Sequence, residues 1–271
     1  MLTIGSNSLA SGIAFNLNKV SNELSLSTNR ISTGKRINSA SDDPAGIAIS
    51  TKLKVELGSY RIVERNISNG QSLLGVADAA LQGIQKTLGS MRDLAVQASD
   101  GNLTDEQRTA LNDTFVELRA QVEDIADNAS LFGKNLISSA AADVDIQVGI
   151  NNGDTKTLTA AASDIATIGI DGSVVDTVGG ANSAIDEIDA AIDAVSVNQA
   201  VIGAQVNGLK TRGETVASYM ENIERANSRI EDVDLASETA RLQKLQTQQQ
   251  LAISMLGMAN SLPQQALQLL R

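Results

Sequence analysis

Apolar residues recur every seven positions along the middle of the chain, beginning shortly after Pro44. The positions three residues further on are mostly apolar too, apart from Glu56 and Gly70. A repeat of about 3.5 residues is the a/d pattern of a coiled coil and favours left-handed pairing with a second helix. We therefore predict one long helix from Pro44 to about Asp100, ended by the Gly101–Asn102 pair. The seven-residue series comprises Leu53, Tyr60, Ile67, Leu74, Leu81, Leu88 and Ala95.

The residues just before this helix predict how it begins. Residues Asn38 to Asp43 form a short polar loop, and Asp42 or Asp43 can accept hydrogen bonds from the free amides of the first turn. Pro44 at the first helical position loses no hydrogen bond, and carboxylates are favoured at the positive end of the helix dipole. An acid–base or metal site on the two aspartates is the alternative, but capping explains them with less. The predicted loop and helix cap comprise Arg36, Asn38, Asp42, Asp43 and Pro44.

Two further helices follow from the same kind of pattern. Thr104 and Gln107 have the spacing of a capping box and start a helix that ends near Gly133. A third stripe, which alternates three and four residues, runs from Ile185 to Ile230. We interpret both stripes as packing faces within the chain. The second helix presents Leu111, Phe115, Leu118, Val122, Ile125 and Ala129.

The region between these helices has a different pattern. Residues Asp143 to Ile150 alternate polar and apolar, Asn151 to Asp154 are turn formers, and Thr155 to Leu158 can return, which predicts a β-hairpin. Residues 159–180 are rich in Ala, Ser, Thr, Asp and Gly, and we expect a loop excursion there and not a packed domain. Its Ser and Thr side chains are expected on the surface, where O-linked sugar is a further hypothesis.

Each end of the chain carries a weaker apolar stripe with nothing nearby in the sequence to cover it. The two ends are therefore expected to pair with each other. Because one partly covered stripe does not offset the entropy of ordering a helix, we expect both ends to order on assembly with other copies. The predicted assembly residues are Ile13, Leu17, Val20, Leu24, Ile31, Leu242, Leu245, Leu256 and Leu262.

Composition narrows the classes of function. The chain has 271 residues, a net charge of −11, 2% aromatic residues, no cysteine and no histidine. Imidazole bases and thiolate metal sites are excluded, and we predict no enzyme activity and no cofactor. The charge argues against binding nucleic acid or an anionic membrane surface. The first residues lack the pattern of a cleaved signal peptide, and the apolar stretch Leu251 to Leu262 is too short to cross a membrane.

Several motifs together resemble bacterial flagellins. They are LSTNRISTGKRINSASDDPAGIAIS at 26–50, MRDLAVQASDGNLTDEQR at 91–108, IQVG at 146–149 and the last 42 residues from Ile230 to Arg271. The resemblance covers about residues 1–150 and 180–271 and implies a filament subunit of a short form that lacks large outer domains. It also implies export without a cleaved signal peptide to an extracellular flagellum. A hook–filament junction protein is the alternative, and a helical enzyme is the remaining hypothesis.

The resemblance also implies a fold and partners. The expected fold is mainly α: a long antiparallel coiled-coil rod with a small β-hairpin region, whose terminal helices pair into an inner core. The expected segments are an inner-core helix and loop at 1–40, outer-core helices with the hairpin at 41–180, a return helix at 181–232 and an inner-core helix at 233–271. Besides copies of the chain, the implied partners are an export chaperone, a filament cap and hook-associated junction proteins.

A host Toll-like receptor is a further partner that the resemblance raises. Arg92 and Leu94 match the surface implied for receptor contact. Ser90 and Thr114 stand where flagellins sensed by that receptor carry Arg and Glu, which predicts impaired activation.

Overall fold

The computed structural model describes the backbone of residues 7–269 and the side chains of residues 7–261. The helices are α1 (Ser8–Thr33), α2 (Pro44–Ala98), α3 (Asp105–Asn128), α4 (Val178–Glu231) and α5 (Leu235–Leu269). The strands are β1 (Ser130–Leu131), β2 (Lys134–Asn135), β3 (Val144–Gln147) and β4 (Thr155–Leu158). The chain divides into two compact units. Unit 1 comprises the residues up to Val55 and those from Asn222 onward, and unit 2 comprises Glu56–Glu221.

The core of unit 2 lies among α2, α3 and α4, as the heptad pattern predicts. From Ile188 to Val216 on α4 every seventh residue is fully buried, whereas the intervening seam positions are only half-buried. Gln199 and Gly213 occupy half-buried seam positions. The polar side chain of Gln199 and the lack of a side chain at Gly213 therefore do not disrupt the core. The fully buried series on α4 is Ile188, Val195, Ile202, Leu209 and Val216, and it faces Leu74, Leu81, Leu88 and Phe115 in the same cluster.

Both ends of α2 and the start of α3 agree with the predicted signals to within a few residues. The Thr104 hydroxyl oxygen accepts a hydrogen bond from the Gln107 amide at 3.3 Å, and the Gln107 side-chain oxygen accepts one from the Thr104 amide at 3.0 Å, which is the predicted capping box. The end of α2 has an additional partner that the sequence did not reveal. Arg108 is buried, and its guanidinium donates to the carbonyl of Ala98 and, at 3.3 Å, to that of Leu103. It therefore satisfies carbonyls that the helix end leaves free.

The predicted hairpin is confirmed. Strands β3 and β4 pair antiparallel, with Ile146 opposite Lys156. A Cβ on Gly70 would collide with the Cδ1 atom of Ile146. This seam position of α2 therefore carries no side chain because Ile146 of the hairpin occupies the space above it. The strands β1 and β2 were not predicted. The helix ends at Asn128 instead of near Gly133, and Phe132 and Gly133 form a tight turn with φ of 54° and 71°.

Residues 159–177 form the expected loop without helix or strand, but they contribute to the core. Ile168, Ile170 and Val175 belong to the buried cluster. The surface expectation is wrong for Ser163 and Ser173, which are buried, whereas Thr159 and Thr177 are exposed. The Ser163 hydroxyl donates to the carbonyl of Ala161 at 3.0 Å, so it is not open to a sugar in the folded chain.

Polar side chains on two helices hold this loop. On α3, the side chain of Asn112 accepts from the Val175 amide at 2.9 Å, Arg119 donates to the Ser173 carbonyl at 3.0 Å, and Glu123 accepts from the Ile165 amide at 3.1 Å. On α4, Asn198 donates to Ala162 and Ser163, and Gln205 bonds both backbone groups of Thr159. Spacings of seven and four residues place each set on one helix face. These bonds explain how a segment without regular structure satisfies its backbone.

Candidate assembly surface

Helices α1 and α5 pack against each other antiparallel in unit 1, which confirms the predicted pairing of the two ends. The Asn7 side chain donates to the Ala259 carbonyl at 2.7 Å, and Arg241 lies 3.6 Å from Glu23 further along the pair. Asn7 also caps α1 by accepting from the Ala10 amide at 3.1 Å, and Gly34 ends the helix with φ of 70°. Local sequence therefore fixes where α1 starts and stops, and the stripe fixes which side meets α5.

The predicted assembly residues whose side chains are described line this pairing face but are covered to different degrees. Ile13 and Leu245 are buried. The others whose side chains are described are half-buried, and Leu262 lies outside the described side chains. The half-buried set is Leu17, Val20, Leu24, Ile31, Leu242 and Leu256. One helix thus covers only part of the apolar surface of its partner.

Apolar side chains outside the pairing stripe are also exposed on each of these two helices. Phe15 on α1 is 72% exposed, and Leu26 is exposed on the same side of that helix. On α5, Leu251, Met255 and Met258 follow one another at four and three residues and are all more than half exposed. We call these five residues the outer face. The spacing on α5 is itself a short coiled-coil seam and was the signal in the sequence that could have identified it.

A groove of about 800 Å³ runs between α1 and α5 beside this outer face. Its lining combines the apolar Val20, Leu251 and Met255 with the charged Lys19 and Arg241. Four basic and two acidic side chains belong to these two helices, whereas the whole chain carries a net charge of −11. Close approach of several such helix pairs is therefore opposed by little like-charge repulsion from these helices.

The loop before α2 is built as predicted, and the structure separates the roles of its two aspartates. Asp43 is the helix cap, since its Oδ1 accepts from the Gly46 amide at 2.9 Å. Asp42 closes the loop, since its Oδ2 accepts from the amides of Asn38 and Ser39 at 3.1 and 2.9 Å. These amides, Ser39 first, lower the pKa of Asp42. Both carboxylates are thus engaged with backbone in structural roles.

Two basic residues that follow α1 tie it to the end of α4 within unit 1. The Arg36 amide donates to the Glu231 carbonyl at 2.6 Å, and its guanidinium donates to the Ile230 carbonyl at 2.7 Å. Lys35 lies opposite Asp232 in an antiparallel bridge. The backbone that leads into α2 therefore pairs with the backbone that leaves α4. This pairing holds the C-terminal end of α1 next to the N-terminal end of α5.

Glu231 is the buried centre of this junction. It is 7% exposed, and its carboxylate contacts Lys35 at 3.1 Å and Lys54 at 2.6 Å. Ser50 and Asn227 complete its hydrogen bonds at 3.2 Å each. Burial alone raises the pKa of Glu231, but the hydrogen bonds from Lys54, Lys35 and Asn227 outweigh burial and lower the pKa to about 2. The carboxyl is ionised at neutral pH.

The two residues of the predicted receptor surface lie on α2 in unit 2. Arg92 is half-exposed and donates to Asp189 at 2.6 Å, and this hydrogen bond lowers the pKa of Asp189. Leu94 is partly buried against the core. Arg92 is therefore already engaged in an ion pair within unit 2.

Within the described residues, no group of three carboxylate, histidine or cysteine side chains is placed to hold a metal ion. None of the described helices combines the length and apolarity needed to cross a membrane.

Two features together define the class of protein. The paired helices α1 and α5 leave apolar side chains exposed, and unit 2 is a helical unit whose loop is held by polar side chains. Such chains are helical subunits that assemble with further copies. Comparison with known proteins identifies the family. The bacterial flagellin N-terminal helical region matches residues 4–142, and the C-terminal helical region matches residues 185–270. The chain belongs to the bacterial flagellin family.

Individual relatives agree with this assignment. The chain is 34% identical to a flagellin of Halalkalibacterium halodurans over 89% of this chain and 90% of that protein. It is also 34% identical to Flagellin FljO of Caulobacter vibrioides over 99% of this chain and 98% of that protein. The crystal structure of Bacillus cereus flagellin superposes with a TM-score of 0.52 at 29% identity, covering 60% of this chain and 94% of that one.

Proposed function

We propose that the chain is a structural subunit of the bacterial flagellar filament and that copies assemble through the outer face of α1 and α5. Membership of the flagellin family supports a filament component located outside the cell and favours it over the hook–filament junction alternative. The observation that carries the interface is the exposed apolar set Phe15, Leu26, Leu251, Met255 and Met258.

Magnitudes favour assembly over a purely internal role for these helices. Ordering the 26 residues of α1 costs on the order of 1–2 kcal/mol per residue. Burying a large apolar side chain returns roughly 1.5–3 kcal/mol. In the single chain, Ile13 is the only buried apolar residue among those of α1 that the structure describes. Covering the outer face with neighbouring copies supplies the missing burial.

Because the entropy cost of ordering α1 exceeds what its burial returns in the single chain, we propose that α1 and α5 gain most of their stability on assembly. Hydrogen exchange measured on dilute monomer and on filament tests it. We expect the amides of residues 8–33 and 235–261 to exchange quickly in the monomer and slowly in the filament. Strong protection of both segments in the dilute monomer would remove the physical basis of the proposal.

The partners and the export route follow from family membership alone. We propose that an export chaperone, the filament cap and hook-associated junction proteins bind this chain, and that it leaves the cell without a cleaved signal peptide. We further propose that residues 1–40 and 233–271 form the inner core of the filament and that residues 41–180 and 181–232 form its outer core. For the Toll-like receptor, the ion pair of Arg92 supports the expectation of impaired activation.

Seeded growth tests the interface directly. Monomer added to filament fragments should lengthen them, whereas a junction protein would not. The double variant Leu251→Ala with Met255→Ala should raise the monomer concentration needed for growth by about tenfold or more, because two side chains that bury together at the interface are removed.

The control is Gln250→Ala on the same helix, which shortens an exposed polar side chain next to Leu251. It should leave growth close to that of the unchanged chain. Since Leu251 and Met255 are exposed, the double variant should unfold nearly as the unchanged chain does when it is a monomer. Normal growth of the double variant would exclude this part of the outer face from the interface.

A further inference from the structure

Asn152 and Gly153 occupy the tip of the hairpin between β3 and β4. They are the central residues of a turn closed by a hydrogen bond from the Asp154 amide to the Asn151 carbonyl at 3.2 Å. Both are exposed, and Gly153 has φ of 87°. The structure assigns Asn152 as a site of spontaneous deamidation and isoaspartate formation, and as the reactive member of the three Asn–Gly pairs in the chain.

The chemistry needs only the chain and water. The deprotonated amide nitrogen of Gly153 attacks Cγ of Asn152, forming a carbon–nitrogen bond that closes a five-membered succinimide. The side-chain nitrogen takes up the proton and leaves as ammonia. Water then opens the ring at either carbonyl: one opening gives aspartate, and the other gives isoaspartate, in which the main chain passes through the former side chain. Glycine favours the attack because it has no Cβ to obstruct its nitrogen.

The turn leaves this nitrogen available. Within the described part of the chain, the Gly153 amide donates to no acceptor, because the bonds that close the turn come from Asp154 and Thr155. A Cβ built on Gly153 would meet nothing within 4 Å, so the space around the reacting peptide is open. The attack therefore requires rotation about the bonds of Asn152, whose side chain is exposed.

The other two Asn–Gly pairs lie in helices and therefore have a different backbone conformation. Asn69–Gly70 lies inside α2, and Asn207–Gly208 lies inside α4. In a helix the glycine amide donates to the carbonyl four residues earlier, and the helical backbone holds it away from the preceding side chain. Asn207 and Gly208 are exposed, as Asn152 and Gly153 are. Backbone conformation, and not access to water, therefore separates the sites.

Reaction at Asn152 has a structural consequence. The turn is also closed by Asp154, whose Oδ2 accepts from the amide and side chain of Asn151 at 3.2 and 3.1 Å. Isoaspartate lengthens the main chain by one carbon and shifts these partners relative to one another. The strand pairing that seats Ile146 over Gly70 starts beside this turn.

The experiment is incubation of the purified, folded full-length chain at mildly alkaline pH, followed by peptide mass spectrometry. Incubation in water labelled with heavy oxygen distinguishes new deamidation from that during digestion, and isoaspartate is measured by enzymatic methylation. Asn152 should convert at least about tenfold faster than Asn69 and Asn207, because helix opening must precede attack at those sites. The same chain unfolded in urea should lose this preference.

Gly153→Ala serves as the matched variant, because the added Cβ obstructs the nitrogen that attacks. It should slow conversion at Asn152 in both folded and unfolded chains and leave Asn207 unaffected. Conversion of Asn207 as fast as Asn152 in the folded chain would overturn the proposal. Persistence of Asn152 in the folded chain, under conditions where the unfolded chain reacts, would overturn it as well.

Discussion

Gly70 and Gly75 lie on the same helix, but only one of them is held open by a neighbour. A Cβ on Gly70 would collide with Ile146 and lie 3.0 Å from Leu209, whereas a Cβ on Gly75 would meet nothing within 4 Å. Gly75→Ala should therefore stabilise the chain by up to about 1 kcal/mol through helix propensity. Gly70→Ala should lose this gain, because overpacking costs about 1–3 kcal/mol.

Urea unfolding followed by circular dichroism measures both changes. Adding Ile146→Val removes the Cδ1 atom that the new Cβ would meet, so Gly70→Ala should be better tolerated in that background than in the unchanged chain. Equal effects in the two backgrounds would show that the hairpin does not occupy the space above Gly70.

Arg108 acts at the same scale, as a single side chain that completes the end of a helix. Arg108→Met keeps the apolar stem but removes the donors to the carbonyls of Ala98 and Leu103. Leaving buried carbonyls unpaired should lower the free energy of unfolding by about 1–3 kcal/mol. Lys86→Met, at an exposed position of α2, is the control and should change it by less than about 0.5 kcal/mol. Equal unfolding midpoints for the two variants would contradict the capping role.

At the scale of elements, Glu231 joins α4 to α2 and to the loop after α1 inside unit 1. Its pKa in the folded chain is about 2, below the ordinary value of 4.5. Ionised Glu231 therefore stabilises the folded state above pH 4.5, and this contribution is lost as the pH falls from 4.5 to about 2. Because the side chains of Lys35 and Lys54 are 43% and 47% exposed, solvent screens both pairs, and the net contribution is well below the roughly 3 kcal/mol of the unscreened shift.

Glu231→Gln should destabilise unit 1 at neutral pH and flatten the loss of stability on acidification. Urea unfolding at neutral and acid pH measures this. Asp189→Asn, which breaks the exposed pair with Arg92, is the control and should change the stability little, because solvent screens an exposed ion pair. If the Gln variant and the unchanged chain lost stability in parallel as the pH fell, another group would be responsible.

At the scale of the whole molecule, the two units are expected to separate folding from assembly. Unit 2 contains one buried cluster formed by α2, α3, α4 and the hairpin, with residues from Val63 to Val216. Deleting residues 1–35 or 236–271 should therefore leave the unfolding transition of unit 2 in place while abolishing polymerisation. Circular dichroism and seeded growth provide the two measurements, and filaments grown from either deleted chain would show that α1 and α5 are dispensable.

Much of the fold was accessible from the sequence because its signals are local and periodic. The heptads predicted α2 and α4, the Thr104–Gln107 box predicted the start of α3, and turn residues at 151–154 predicted the hairpin. The outer face was less accessible. Leu251, Met255 and Met258 have seam spacing, but Phe15 and Leu26 share no pattern with the pairing stripe of α1. Their exposure depends on which side of α1 faces α5.

The sequence by itself determined where α2 and α3 begin, which stripe each helix buries, and that the two ends of the chain pair. These features depend on spacing and on capping groups a few residues away, so they survive without knowledge of the tertiary structure. Only the tertiary structure decided that Ile146 fills the space at Gly70, that α3 and α4 pin residues 159–177, and that Glu231 lies between Lys35 and Lys54. Each of these contacts joins residues far apart in the chain, and no local pattern records which distant groups the folding of the helices brings within reach.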